Sequence, residues 1–451
     1  MIQSLLKKLL DFASSSMFQA LVLFFSRSFH SLSSLIFSFI VGRLLTIEEH
    51  GLYSQYLARM VIFQAILETG LQYSLIRYLS PAISEQKESQ IHQLLAASIK
   101  IKIYSFIVVF VLVVYWTLEN FLYNFFHVSS GFFPLTSTPY QITNAWLVFL
   151  SALGMSFFSY FDALLVSHKN YRTLSFWIPL TGLSRILLLF LFFFWNQGYL
   201  EIKHVLFSFM AGTFFPWLFY FLFFDAKKFF FPVQKIKIQF WTRKLIRYNL
   251  WILFASFFAM LSDWMEILML TQVRDAGLFN AARTPTQGIV ILLSTMQSIM
   301  LPTMSRFQNP DEYKQYFKKI YKYVLLLFFL LLPLVYVGEW FITLWYGDEY
   351  YQAVNVFWVI YPSFLLRLFF APLGTALFSL DQTVLIAIEA FLRMLGSFLF
   401  NWILIPQFGI MGAAYSTLFS QFFGWFFLIF LFTHYFKKGK FPEFMEKIKT
   451  I

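Results

Sequence analysis

The sequence contains no cysteine, which excludes a disulfide framework, a thiol nucleophile and a thiolate metal site. It also lacks a phosphate-binding glycine loop, an H-E-x-x-H, a G-x-S-x-G and a dinucleotide fingerprint, so no ATP-driven mechanism and none of those catalytic centres is visible. Charge is scarce, at 12% Asp, Glu, Lys and Arg. Soluble segments are correspondingly short. The longest loop on one side, 119–143, has 25 residues without Lys or Arg, too little for a folded catalytic domain.

Apolar chain takes the place of these features. Twelve runs, near 18–42, 51–76, 94–118, 144–168, 173–195, 203–225, 245–271, 284–305, 320–342, 354–380, 384–405 and 411–436, each approach the roughly 20 residues that a helix needs to cross a bilayer. Lipid cannot satisfy open backbone groups, so each run must close into a helix. The 64 Phe residues read as lipid-facing filler. The first run is too long, and its flanks too poor in small residues, for a removed signal peptide.

The 34 Lys and Arg residues are distributed unevenly. Twenty-five lie on one alternating set of connections, whereas the other set carries only Arg43, Lys203, Arg274 and Arg283. The positive-inside rule then places both termini in the cytoplasm. The net charge of +12 therefore reflects topology and attraction to anionic lipid, with no nucleic-acid partner expected. The expected fold is an all-α polytopic membrane protein of about twelve helices in two six-helix lobes. The lobes are expected at 1–226 and 245–436, with a basic linker at 227–244 and a basic tail at 437–451.

Two short repeats support the division. Glu49-His50-Gly51-Leu52-Tyr53 and Asp275-Ala276-Gly277-Leu278-Phe279 follow the first and seventh runs at an offset of 226 residues, and Gln197-Gly198-Tyr199 resembles Gln407-Phe408-Gly409. An even number of spans per lobe makes the repeats parallel, with a substrate path between them.

Polar residues inside the runs are costly and mark function. Arg27, His30, Ser31, Ser34 and Ser38 form one helical stripe, read as facing a water-filled cavity or as binding neighbouring helices. Asp263 and Glu266 share a face with Asn249 and Ser256. Like charges so close raise at least one carboxyl toward neutrality and suit ion coupling, unless each is paired to an Arg on another helix. Glu389 and Arg393, four residues apart, can pair along their own helix. Arg185 and Arg367 add further intramembrane charge. In the second run Glu68 is placed toward the cavity and Arg59 away from it, while Asp162 reads as interfacial. The candidate substrate-binding set is thus Arg27, His30, Arg185, Arg367 and Arg393, and the candidate ion-coupling set Glu68, Asp263, Glu266 and Glu389. No metal site and no catalytic residue is expected. Arg remains charged and its fork matches phosphate oxygens, so the cargo is expected to be anionic.

The segments Gly42-Arg43-Leu44-Leu45-Thr46 through Tyr53, Gly70-Leu71-Gln72-Tyr73-Ser74-Leu75-Ile76-Arg77-Tyr78, Gly277 to Arg283, and Leu404 to Thr417 resemble the Wzx-like polysaccharide transporters of the multidrug/oligosaccharidyl-lipid/polysaccharide exporter superfamily. The resemblance implies a transporter rather than an enzyme, resident in the bacterial inner membrane. It implies alternating access that moves a polyprenyl-pyrophosphate-linked oligosaccharide. It further implies no cofactor beyond a proton or sodium gradient, and membrane lipid and other polysaccharide assembly proteins as partners. A multidrug or small-solute antiporter of the same superfamily and a membrane glycosyltransferase or polymerase are the alternatives.

Overall fold

The computed structural model describes residues 16–126, 142–223, 238–304, 307, 310–380 and 382–437. The expected linker residues 227–237, the tail beyond 437 and the centre of the loop 119–143 lie outside them. Fifteen α-helices account for nearly all of the described chain: α1 Ser16–Leu44, α2 Ile47–Glu68, α3 Leu71–Ser84, α4 Glu88–Phe126, α5 Ile142–Ser167, α6 Tyr171–Trp195, α7 Ile202–Phe223, α8 Ile238–Met269, α9 Val273–Arg283, α10 Gln287–Met304, α11 Pro310–Leu331, α12 Leu334–Tyr346, α13 Tyr351–Ser379, α14 Thr383–Phe408 and α15 Ile410–Lys437. There is no strand among the described residues. Seven of these helices are long and apolar enough to cross a membrane. An eighth span forms if Asp311–Leu331 and Leu334–Tyr346, bent 42° from one another, are taken together. The chain is therefore an all-α, multi-pass membrane protein.

Local sequence fixes the helix ends. Thr46 and Glu49 form a capping box at the start of α2: the Glu49 amide donates to Thr46 Oγ1 at 3.2 Å and the Thr46 amide to Glu49 Oε2 at 3.2 Å, which satisfies two amides that the first turn leaves open. Asn170 caps α6, its side chain accepting from the Thr173 amide. Pro179 within α6 has no N–H, which removes the helical donor for the Ser175 carbonyl. Ser26 Oγ of α1 supplies that bond instead, at 3.0 Å.

Three sequence boundaries are corrected. The run 51–76 is not one helix, because Thr69 and Gly70 adopt φ of 51° and 66° and turn the chain into the separate helix α3. That left-handed region is open to glycine without steric cost. Residues 320–342 are divided by the bend at Pro333 between α11 and α12. Lys100 and Lys102, counted with a basic connection although they fall inside the run 94–118, belong to α4, whose 39 residues span about 58 Å at 1.5 Å per residue.

Two compact units emerge, Met1–Leu44 with Arg59–Leu253 and Leu45–Ala58 with Phe254–Ile451. The division falls within α2 and α8. Two close approaches account for this. Gly70 fits against Ile252 and the Asn249 carbonyl, with a hypothetical Cβ 3.0 Å from Ile252 Cγ2, and so retains the first half of α8 in the first unit. In the second unit, a Cβ on Gly51 would collide with the Val273 carbonyl and one on Gly277 with the Ile47 carbonyl. Both pairs are related by the same 226-residue offset, so the two repeated corners pack on each other reciprocally.

The first unit has a core in which α3 contributes Leu71, Leu75 and Leu79, packed with Leu94 and Leu95 of α4, Tyr160 and Leu164 of α5, and Trp241 and Leu245 of α8. In the second, Met300, Met304, Tyr313, Ala376, Leu377 and Leu428 gather α10, α11, α13 and α15.

Candidate functional site

In the second unit, one cluster of acidic and basic side chains unites five of the residues singled out in the sequence. Asp263, on α8, accepts from Arg367 Nη2 of α13 at 2.9 Å and from Arg393 Nη1 of α14 at 3.3 Å. Arg393 Nε also lies 3.4 Å from Glu389 Oε1 one turn earlier. Glu389 has room there because Gly424 of α15 lacks a side chain. Glu266, buried one turn after Asp263, is 3.4 Å from Ser397 Oγ. Ser397 in turn belongs to a polar row in which Asn401 Nδ2 donates to the Ser397 carbonyl at 2.8 Å and Ser416 Oγ approaches it at 3.3 Å.

A sixth charge joins them. Arg283 closes α9, is buried, lines the same cavity as Asp263, Glu266 and Arg367, and places its guanidinium carbon 4.0 Å from the centre of the Trp264 ring. Its Nε and Nη1 make no hydrogen bond among the described residues. The sequence reading assigned Arg283 to a loop, since hydropathy sees only the break between apolar runs; the short helix α9 folds it inward. The available signal was its place at the end of the Gly277 to Arg283 segment that continues the repeated corner.

This arrangement selects between the alternatives left open for Asp263. The carboxylate is paired to Arg residues of two other helices, so its charge is balanced by them and not by separation from Glu266 alone. Three guanidinium and three carboxylate groups converge here, a formal neutrality maintained in a low-dielectric setting where every unpaired charge is costly. The free space among them is small. About 10 Å³ is open to the centre of a water-sized sphere, about what a single water needs.

The first unit disposes of its intramembrane charges separately. Arg27 forms a two-oxygen ion pair with Asp162 of α5, at 3.1 and 2.8 Å, so Asp162, read as interfacial in the sequence, is also a helix-to-helix partner. Arg27 binds a neighbouring helix, and its side chain retains 51% exposure. His30 Nδ1 approaches the Ile178 carbonyl at 3.1 Å and Thr181 Oγ1 at 2.9 Å. The Thr181 hydroxyl donates to Ile178, so both neighbours act as acceptors and the proton resides on Nδ1. Arg185 is buried, donates to Thr213 Oγ1 at 2.9 Å and covers the Phe209 ring at 3.9 Å. Glu68 accepts from Gln64 Nε2 at 2.8 Å and Ser159 Oγ at 2.7 Å. Lys102, tallied with a basic connection in the sequence reading, donates to the Leu67 carbonyl at 2.8 Å and also bonds Ser156; a cation there complements the C-terminal end of α2. Arg59 faces the Trp116 ring at 5.4 Å.

Residues 18–308 match the family described as polysaccharide biosynthesis protein. The chain belongs to that family. No curated protein matches it. Among solved structures, this polysaccharide biosynthesis protein resembles the lipid II flippase MurJ in an inward closed conformation, with 13% identity, a TM-score of 0.66 and coverage of 93% of this chain and 88% of that one. It also resembles the MATE transporter VcmN of Vibrio cholerae, at 14% identity, a TM-score of 0.62 and coverage of 95% and 97%. A multidrug resistance MATE family transporter in an inward-facing conformation gives 12%, 0.62, 93% and 96%. The chain thus has the fold of the multidrug/oligosaccharidyl-lipid/polysaccharide exporter superfamily, and these structural relatives are transporters.

Proposed function

We propose that the chain is a flippase that carries a polyprenyl-pyrophosphate-linked oligosaccharide, an O-antigen, capsule or exopolysaccharide unit, across the bacterial inner membrane by ion-coupled alternating access. The observation that carries this reading is the convergence of Arg283, Arg367 and Arg393 on Asp263 and Glu266. A guanidinium stays charged and its planar fork fits phosphate oxygens. In the arrangement described, the protein's own carboxylates engage Arg367 and Arg393 and the space left is close to one water, so the pyrophosphate requires an opened arrangement. Protonation of Asp263 would withdraw the competing anion and leave the Arg groups for the cargo. Coupling follows if the ion binds the two states with different affinity. The family's description and the likeness to a lipid II flippase support the cargo class.

The likeness to MATE transporters favours a second reading, a multidrug or small-solute antiporter of the same superfamily. Three clustered Arg residues, Arg283 buried and Arg367 and Arg393 partly so, suit an anionic cargo and disfavour a cationic drug.

Reconstitution into liposomes with a fluorescent polyprenyl-pyrophosphate oligosaccharide tests the proposal. Gradient-dependent arrival in the opposite leaflet is expected, with the initial rate lowered about tenfold or more by Arg367→Ala and by Arg393→Ala, the loss expected for one charge-assisted bond. Full activity of every single and combined Arg→Ala variant, or transport of a cationic dye in place of the glycolipid, would overturn it.

A further inference from the structure

The second unit has a larger cavity apart from the Asp263 cluster. It opens where three connections meet: Gln272, Arg274 and Asp275 around the start of α9, Gln352 and Asn355 in the first turns of α13, and Phe408 at the end of α14. Its volume is about 490 Å³, within the range of small-molecule sites. All three connections belong to the set poor in Lys and Arg, so the charge pattern assigns the cavity to the external face.

The lining differs in kind from the Arg cluster. Gln272, Gln352 and Asn355 are exposed, and each amide offers donors and an acceptor from one planar group. Arg274 and Asp275 are adjacent and of opposite charge, so there is no excess of cations to select a phosphate or polyanion. The Phe408 ring is 55% exposed. Its position is fixed from both sides: Gly409, at φ of 57°, ends α14 immediately after it, and Tyr415 of α15 meets it edge-on at 6.4 Å. A rigid aromatic face bordered by amides, without net charge, complements a ring with one apolar face and a periphery of hydroxyl groups. A pyranose has that chemistry. A lipid tail would leave the amides unsatisfied, at a cost, and an organic cation would find only one carboxylate beside an Arg.

We propose that the cavity between Gln272, Gln352, Asn355 and Phe408 is a glycan-binding site that holds neutral sugar residues of the transported oligosaccharide through amide hydrogen bonds and stacking on Phe408. The identity of the cargo rests on the flippase reading above; the match to a sugar rests on the cavity itself. Holding the sugars at the external face would position the glycan after translocation while its lipid anchor remains in the bilayer.

The full-length chain in phospholipid nanodiscs tests this by saturation-transfer NMR. The probe is free oligosaccharide released by mild acid from the envelope polysaccharide of the producing cell, without lipid or pyrophosphate. Transfer to sugar protons is expected, reduced about fivefold in Phe408→Ala, as the loss of one ring stacking predicts, similarly reduced in Asn355→Ala, and retained in Phe408→Trp. No transfer with the unsubstituted chain, or equal transfer in all variants, overturns the site. The liposome assay separates the two proposals. Transport without saturation transfer removes the glycan site alone, whereas saturation transfer without transport removes the flippase reading and leaves a glycan-binding site in place.

Discussion

At the scale of single residues, the cluster around Asp263 is governed by charge balance. Its side chain is 25% exposed and those of Arg367 and Arg393 16% and 14%, so removing one partner leaves the others in a poor solvent for charge. Breaking such a pair costs about 3 kcal/mol. Asp263→Asn is therefore expected to lower the midpoint of thermal unfolding in detergent, and Asp263→Asn combined with Arg367→Gln to recover part of the loss, because the double variant removes opposite charges together. An additive result would show that the two side chains are energetically independent despite the 2.9 Å contact. Asp263, Glu266, Arg367, Glu389 and Arg393 were legible in the sequence because each interrupts an apolar run. Arg283, Lys102 and the partnership of Asp162 with Arg27 were not. Those three lie near the ends of runs, where hydropathy cannot distinguish a solvated charge from one folded inward, and their contacts come from helices distant in sequence.

At the scale of elements, glycines determine where helices touch. A Cβ on Gly212 would stand 2.6 Å from Arg185 Cγ and 2.7 Å from the Arg185 backbone nitrogen, so α6 and α7 meet there with no room for a methyl group. Gly212→Ala is expected to destabilise by about 1–3 kcal/mol, the usual cost of overpacking. Gly277→Ala is expected to do the same or worse, since the obstructing Ile47 carbonyl is backbone and cannot rotate away. Gly374, with open space about its Cα, is the contrasting case. Placing Ala there is expected to raise stability by about 0.5–1 kcal/mol through helix propensity. Thermal unfolding of the three variants in one detergent checks the order, and a stabilising Gly277→Ala would sink the idea of interlocked corners. The repeated corner was recognisable in the sequence as a motif. Its reciprocal packing was not, because a short match at an offset of 226 residues states similarity and says nothing about contact. The break at Thr69 and Gly70 was missed for a related reason: apolar residues continue through it, and only the backbone turns.

For the whole molecule, the order of apolar runs made the all-helical membrane fold legible, while sidedness rests on charge alone. The proposed glycan cavity offers an independent constraint on which connections share a face. Residues from three connections of the set poor in Lys and Arg line one space within the second unit, as they must if alternate connections share a face. The absence of cysteine makes orientation directly measurable, since a single introduced thiol is the only one in the chain. Gln272→Cys and Gln352→Cys, at exposed positions of the poorly charged connections, are expected to react with a membrane-impermeant maleimide in intact cells. Ser84→Cys and Lys314→Cys, exposed beside the basic set, are expected to react only after the membrane is opened. Labelling in the opposite order would invert the protein and place the proposed glycan cavity on the cytoplasmic face, where it would meet the cargo before translocation; labelling of members of both pairs in intact cells would mean that the alternate connections do not share a side, and the positive-inside assignment would fail for this chain.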